Sequence, residues 1–304
     1  LEGLPLNLKQ EFERCLQAGV KENEPMSVHT SWQVGGPADY YLLPADEAEL
    51  REIVRLGKKK GLPLFVFGNG TNLLVRDGGI RGLVVHIGDP FSYIRRENDS
   101  LRAGAGTSLT LLARRAAQEG LQGLGFGGGI PGSLGGALVM NAGAFGSYIG
   151  RLAAEIRMVR FDGEAVTLGR QETEFGYRRS NLAGKGIIVE ALLELAPGDP
   201  AELQSEVEGY LAERRRRHPA LPSAGSVFRN PAHRPAGSLI EEAGGKGLAV
   251  GPARVSRQHA NFIVNPGGAT AGDIERLIGE VQRLVQEKFA VELQPEVRII
   301  GEKR

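Results

Sequence analysis

At 304 residues the chain is long enough for two or three structural units with a sizeable core. Hydrophobic residues at 41% and charged residues at 24% fit a soluble globular protein, and Lys+Arg 37 against Asp+Glu 36 leaves no global field favouring nucleic acid or membrane. The one cysteine, Cys15, excludes intrachain disulfides and Cys-rich metal sites and fits a reducing compartment. With no basic-then-apolar leader and no apolar run long enough for a bilayer, a cytoplasmic protein is expected.

Leu8, Phe12 and Leu16 predict an N-terminal helix that carries Cys15 as a bystander. Asp46 reads as the N-cap of a second helix, with Glu49 three residues on, an apolar stripe of Leu50, Ile53 and Val54, and Gly61 after a basic last turn. Residues 63–67 and 82–87 read as strands around the loop Gly68, Asn69, Gly70, Thr71, Asn72, so a small α/β subdomain ends near residue 89. A second block starts at residues 101–106. Thr107 is expected to cap a helix bearing Leu109, Leu112, Ala113 and Ala116, which Gly120 ends. Residues 156–161, 165–168 and 187–195 carry strand signals, the first two joined by a turn at Asp162 and Gly163. After the boundary at residues 197–200, Asp199 can cap a long helix with Leu203, Val207 and Leu211. A last helix is expected over residues 271–289, and residues 291–300 read as strand around a turn.

The chemistry-bearing stretches are unusual chiefly in glycine. Residues 127–136 hold Gly127, Gly128, Gly129, Ile130, Pro131, Gly132, Ser133, Leu134, Gly135 and Gly136, and run on through Asn141 to Ala144. Glycine weakens regular elements, so such a run marks backbone that turns sharply or approaches something closely. Bared N–H groups there form a concavity for phosphate or pyrophosphate. The loop at 68–72 lacks the Lys-Ser/Thr of a Walker loop, and Pro131 with a poor preceding strand weakens a Rossmann reading of 127–132. Either loop alone reads better as a tight surface turn; the two together favour a bound dinucleotide. Phe175, Gly176, Tyr177, Arg178, Arg179 and Ser180 combine aromatic and cationic groups, and Ser226 lies in a glycine turn outside any Gly-x-Ser-x-Gly. Glu296 is a carboxylate in an apolar segment, either paired with a cation or shifted in pKa. The four arginines 214–217 end a predicted helix, where its dipole favours cations, and at most two can face one ligand. The five histidines are scattered, so no metal site is expected.

Taken together, residues 30–38, 68–75, 129–144, 175–180, 224–231, 255–265 and 294–300 resemble the UDP-N-acetylenolpyruvoylglucosamine reductases, across nearly the whole chain. The resemblance implies an α+β protein: a two-subdomain FAD-binding fold of the vanillyl-alcohol-oxidase (PCMH) type plus a C-terminal α+β substrate-binding domain. Residues 1–89 would form the N-terminal helix and first FAD subdomain, and 90–197 the second. Residues 198–304 would form the substrate domain, its final strand returning to the flavin site. FAD would be held non-covalently by Asn69, Gly70, Thr71, Asn72 and Leu73, and by Gly129, Ile130, Pro131, Gly132, Ser133, Gly136 and Asn141. NADPH would be the reductant.

The same resemblance makes Arg178 and Glu296 stabilisers of an enolate and Ser226 the proton donor. Glu296 would serve best protonated, so a raised pKa is expected. Tyr177, Asn230 and one of the arginines 214–217, taken as Arg217, are expected substrate contacts. His259 and Asn261 either border that pocket or pack. Residues 180–195 are short and hold no tyrosine, which resembles a compact branch without a tyrosine-bearing closing loop. A cytoplasmic monomer acting on a small UDP-linked sugar in peptidoglycan synthesis is implied, with no nucleic-acid or membrane partner. Another FAD oxidoreductase of this fold acting on an alcohol or sugar, or a non-catalytic nucleotide-binding protein, are the competing readings.

Overall fold

Residues 8–304 are described by the computed structural model, and their contacts gather them into two units that do not follow chain order. The described part of the first runs over residues 8–22, Tyr40–Asn69 and Gly82–Glu213; the second takes Asn23–Asp39, Gly70–Arg81 and Arg214–Arg304.

The first unit begins with helix α1 (Leu8–Glu13), which buries Leu8 and Phe12. It stops short of Leu16, which is buried beyond it, and Cys15 is half-buried. Helix α2 (Glu47–Lys59) buries Leu50, Ile53 and Val54, and Asp46 caps it by accepting the Glu49 N–H at 2.9 Å, an interaction of about 1 kcal/mol. Glu49 does not reach back to Asp46. Its carboxylate accepts the N–H groups of Ala45 at 2.8 Å and Gln17 at 3.1 Å, so it ties the segment after α1 to the helix start. A four-stranded sheet has the order Val20–Pro25, Pro37–Leu42, Ile80–His86, Leu64–Phe67, and its last two strands are parallel.

A five-stranded sheet follows, antiparallel throughout, in the order Ala165–Gly169, Ala153–Val159, Ile187–Glu194, Ser100–Gly104, Ile94–Glu97. The turn at Asp162 and Gly163 joins its first pair as expected, with Asp162 accepting the Glu164 N–H at 2.9 Å. Helix α3 (Leu109–Gln118) has Ser108, not Thr107, at its N-cap. The Thr107 hydroxyl is held elsewhere: it accepts the Tyr93 N–H at 3.2 Å and donates to the Tyr93 carbonyl at 3.1 Å. Helix α4 (Leu134–Met140) is short. Helix α5 (Pro200–Arg217) is capped by Asp199, which accepts the N–H groups of Ala201 and Glu202 at 2.9 and 3.0 Å. Its Val207 packs on Ala113 and Ala117 of α3.

That packing accounts for part of the glycine run. A Cβ on Gly128 would lie 2.9 Å from Val207 Cγ1, so α5 comes this close only because Gly128 has no side chain. Close helix approach, and not ligand binding alone, keeps this position bare.

The second unit holds helix α6 (Ala236–Glu242), helix α7 (Ala271–Phe289) and a small antiparallel sheet, Ala249–Val250, Ala253–Val255, Ile263–Val264. The bounds of α7 are those expected from its stripe of Ile274, Leu277, Ile278, Val281 and Val285. Its start carries a capping box in which Thr270 accepts the Asp273 N–H and Asp273 accepts the Thr270 N–H, both at 3.0 Å. Asp77 accepts the next two, Ala271 and Gly272, at 3.0 and 2.9 Å. Fully buried Trp32 belongs to this core. Its Nε1 donates to the Ile263 carbonyl at 2.7 Å, and Asn265 Nδ2 donates to the Trp32 carbonyl at 2.9 Å. The tail is less regular than its sequence suggested. Only Arg298–Ile300 forms a strand, parallel to Leu73–Val75, while Pro295 makes an isolated bridge to Phe228.

Candidate active site

In the first unit, the glycine-rich cradle of residues 127–136 is laced to the segment after Ser100–Gly104: Gly135 and Leu134 donate to the carbonyls of Ala105 and Thr107, each at 2.8 Å, and Leu109 donates to Gly132 at 3.0 Å. Buried Ser133 caps α4. A Cβ on Gly68 would run into the Ser133 hydroxyl, so the loop holding Gly68 and Asn69 abuts the cradle. At that edge bare main chain at Gly68 faces the Ser133 hydroxyl. Backbone without side chains beside a hydroxyl fits the close approach of a flavin nucleotide's diphosphate.

Helix α4 ends at Asn141, in the left-handed region at φ 45, ψ 54, a conformation that asparagine tolerates. Two small hairpins follow that the sequence did not announce. In the first, Gly143–Ala144 pairs with Ser147–Tyr148, and Phe145 at its turn stacks on Tyr210 of α5 with ring centroids 4.0 Å apart. In the second, Phe175–Gly176 pairs with Arg179–Ser180 around a two-residue turn of Tyr177 and Arg178. Arg178 has φ 53. Its Nη1 donates to the Gly143 carbonyl at 3.2 Å, and its guanidinium lies 5.5 Å from the Tyr177 ring centroid. Asn141 braces this hairpin, donating from Nδ2 to the Gly176 carbonyl at 2.9 Å while its Oδ1 accepts the Gly150 N–H at 3.1 Å.

In the second unit, Ser226 and Glu296 stand on neighbouring extended segments. Glu296 N donates to the Val227 carbonyl at 2.7 Å, Arg229 N donates to Gln294 at 2.9 Å, and Phe228 bridges Pro295. Asn72 brackets the same place: its Nδ2 donates to the Glu296 carbonyl at 3.2 Å, and its own carbonyl accepts the Arg298 N–H at 3.0 Å. Gly70 accepts from Ser31 N at 3.2 Å. Asn261 has a packing role, its carboxamide closing both backbone groups of Phe228 at 2.9 and 2.8 Å. Asn230 is exposed, with Oδ1 accepting the Ala236 N–H at 3.0 Å at the start of α6.

His259 Nδ1 accepts the Asn261 N–H at 3.2 Å, so the neutral ring carries its proton on Nε2 and presents a donor. Burial, and after it Lys246 and Arg217, hold its pKa below the usual histidine value. His218 meets it edge-on, centroids 5.6 Å apart, and packs 4.8 Å from Phe262. The His218 pKa is pushed down to about 4 by burial, with Arg214, His259 and Arg217 adding to the effect. Of the arginines 214–217 the first is the least exposed, and burial lowers its pKa; Arg217 is exposed.

Sequence reasoning had named Arg178, Ser226, Glu296 and the glycine loops. The segments that hold Ser226, Glu296 and Asn72 adjoin one another in the second unit, while Arg178, Tyr177, Asn141 and the cradle belong to the first. It missed the bracing by Asn141, the partner glycine Gly150, and His218. None of these has a local signal, because each acts through contacts distant in sequence. Among the described residues no group of three His, Cys, Asp or Glu is placed to hold a metal ion.

Residues 38–169 match the family described as an FAD binding domain, and residues 217–300 match the C-terminal domain of UDP-N-acetylenolpyruvoylglucosamine reductase. The reductase of that name from Heliobacterium modesticaldum is 49% identical over 92% of this chain and 90% of its own length. The one from Desulforamulus reducens is 44% identical over 97% of this chain and 98% of its own. The crystal structure of the Thermus caldophilus enzyme superposes with a TM-score of 0.80 at 35% identity, covering 92% of this chain and 98% of that one. Identity of this depth over nine-tenths or more of the chain makes it a member of the UDP-N-acetylenolpyruvoylglucosamine reductase family.

Proposed function

We propose that this chain, an FAD-dependent oxidoreductase, reduces the enolpyruvyl ether of UDP-N-acetylglucosamine to the lactyl ether of UDP-N-acetylmuramate, a step of peptidoglycan synthesis, with NADPH as reductant. The observation that carries the residue assignments is the pairing of the Ser226 and Glu296 segments through the Val227 carbonyl. Residues 1–89 and 90–197 are taken to hold the cofactor through Asn69, Gly70, Thr71, Asn72 and Leu73 and the cradle of Gly129, Ile130, Pro131, Gly132, Ser133 and Gly136, with Asn141 at its end. Residues 198–304 are taken to receive the substrate. FAD, when bound, supplies a hydride to the terminal vinyl carbon.

The protein's own groups must manage the charge that results. As the CH2 carbon becomes CH3, the electron pair of the double bond moves onto the ether-bearing carbon and into the carboxylate. The Arg178 guanidinium and a protonated Glu296 stabilise that enolate; loss of one such donor typically lowers the rate by about 10²–10³-fold. Ser226 gives its hydroxyl proton to the carbanion and recovers one from water. Tyr177, Arg217, Asn230 and the Nε2–H of His259 hold the UDP-sugar, the arginine through its bidentate fork on phosphate. No described helix is long and apolar enough to cross a membrane, and we take the enzyme to work as a cytoplasmic monomer.

Purified protein should show flavin absorbance that NADPH bleaches and the enolpyruvyl sugar nucleotide restores. Ser226→Ala should keep the bleaching and lose turnover; turnover at the wild-type rate in that variant would remove the serine from the mechanism. Glu296→Gln should alter the pH–rate profile, and an unchanged profile would count against the protonated carboxyl. A protein that binds flavin but is neither bleached nor restored would instead be a nucleotide-binding protein or an oxidoreductase of another substrate.

A further inference from the structure

We propose that Asn141 is a positioning residue for Arg178, a role compatible with a contact to the cofactor and resting on the assignment of Arg178 to the reaction. The residue is 5% exposed, and both ends of its carboxamide are engaged across the fold. Nδ2 donates at 2.9 Å to the carbonyl of Gly176, the residue before the turn that carries Tyr177 and Arg178. Oδ1 accepts the Gly150 N–H at 3.1 Å. A Cβ on Gly150 would run into the Phe175 ring and lie 2.8 Å from that same oxygen, so the tie needs glycine at 150.

The turn is one that would relax if released. Arg178 holds φ 53, where an L-residue other than Asn, Asp or Gly is disfavoured, and the hairpin has only two paired residues on each side. A ladder this short is marginal without tertiary support. Its support comes from the end of α4: Asn141 grips Gly176, Ser180 Oγ donates to the Val139 carbonyl at 2.8 Å, and Arg178 Nη1 reaches the Gly143 carbonyl at 3.2 Å. The Ser180 and Arg178 contacts flank the turn, and Asn141 adds a side-chain grip on the carbonyl of Gly176, which the short ladder pairs with Arg179. Without that donor the start of the turn is left to this short ladder, and the guanidinium loses its aim while the rest of the fold stands. A misplacement of about 1 Å can lower a rate by about 10²-fold.

The test uses the holoenzyme and two variants. Asn141→Gly keeps the left-handed helix end and removes both hydrogen bonds. Asn141→Asp keeps the acceptor for Gly150 but sets an oxygen against the Gly176 carbonyl. At matched flavin content each should lower kcat about tenfold to a hundredfold, more than it lowers the rate of flavin bleaching by NADPH, and quicken amide exchange at Tyr177 and Arg178. In an Arg178→Ala background, with reoxidation by substrate followed in a single turnover, either change should have no further effect. Wild-type kcat in both Asn141 variants beside an inactive Arg178→Ala would overturn the positioning role and leave the arginine assignment standing. An equal loss in the two backgrounds would also overturn it, marking Asn141 as purely structural. Wild-type turnover by Arg178→Ala would instead sink the arginine assignment, and this role with it.

Discussion

Arg178 holds a backbone conformation that favours glycine, and it does so on a partly exposed turn. Strain of this sort is about 1–2 kcal/mol per residue and is retained where a side chain is needed for function. Arg178→Gly should therefore unfold within about 1 kcal/mol of the wild type, or above it, in a denaturant titration, while turnover falls by at least about a hundredfold. The motif around Arg178 was legible in the sequence, because aromatic and cationic residues beside two glycine loops belong to few families. Its backbone angle and the Asn141 brace were not, since neither leaves a local pattern. His218 was passed over for the same reason, though its environment has a measurable effect. Its pKa lies near 4 in the folded protein and about 6.5 in an unfolded chain. The stability contributed by the neutral ring is therefore present above pH 6.5 and is lost as the pH falls toward 4. His218→Phe, which keeps a ring against Phe262, should lose less stability than the wild type between pH 7 and pH 4.5, measured by urea unfolding at both.

At the level of elements, the long periodic segments were read well and the short ones poorly. Helix α7 has seven helical-face residues buried along nineteen positions and a capping box at its start, so periodicity and cap agree on its bounds. The hairpins at 143–148 and 175–180 pair two residues on each side, too few for alternation to show. Thr107 failed as a cap because a hydroxyl one residue too early found Tyr93. The glycine run was recognised as special, but its reason is divided: Gly128 is bare so that α5 can approach, while the abutment of Ser133 and Gly68 keeps the loop edge clear. Two substitutions separate helix packing from helix propensity. Gly128→Ala should destabilise the protein by about 1–3 kcal/mol through overpacking against Val207. Gly209→Ala, in the middle of α5 with open space around its Cβ, should stabilise it by about 0.5–1 kcal/mol. Urea unfolding with the flavin bound reads both, and destabilisation by Gly209→Ala would mean that the helix is bent there for a purpose.

For the molecule as a whole, the architecture was legible through family resemblance, and the weave of the chain was not. Composition and periodicity identify helices and strands, but they do not tell which segments share a core. The chain passes from one unit to the other at residues 22–23, 39–40, 69–70, 81–82 and 213–214, the last inside helix α5. The second core contains Trp32, Val34 and Leu74 from the first quarter of the sequence. A fragment of residues 198–304 made alone lacks these three side chains and should show no cooperative unfolding transition by circular dichroism. A sharp transition would mean that the C-terminal segments close a core without Trp32.

The place of Trp32 also constrains how the protein is born. Its indole donates to a carbonyl 231 residues further along the chain, and ribosomes add roughly 5–20 residues per second. From its own synthesis until that acceptor is made, this large apolar ring waits roughly 10–50 s, counted at those rates. During that time the nascent chain depends on whatever shields exposed tryptophan in the cell, and a pause in translation before residue 263 would lengthen the exposure.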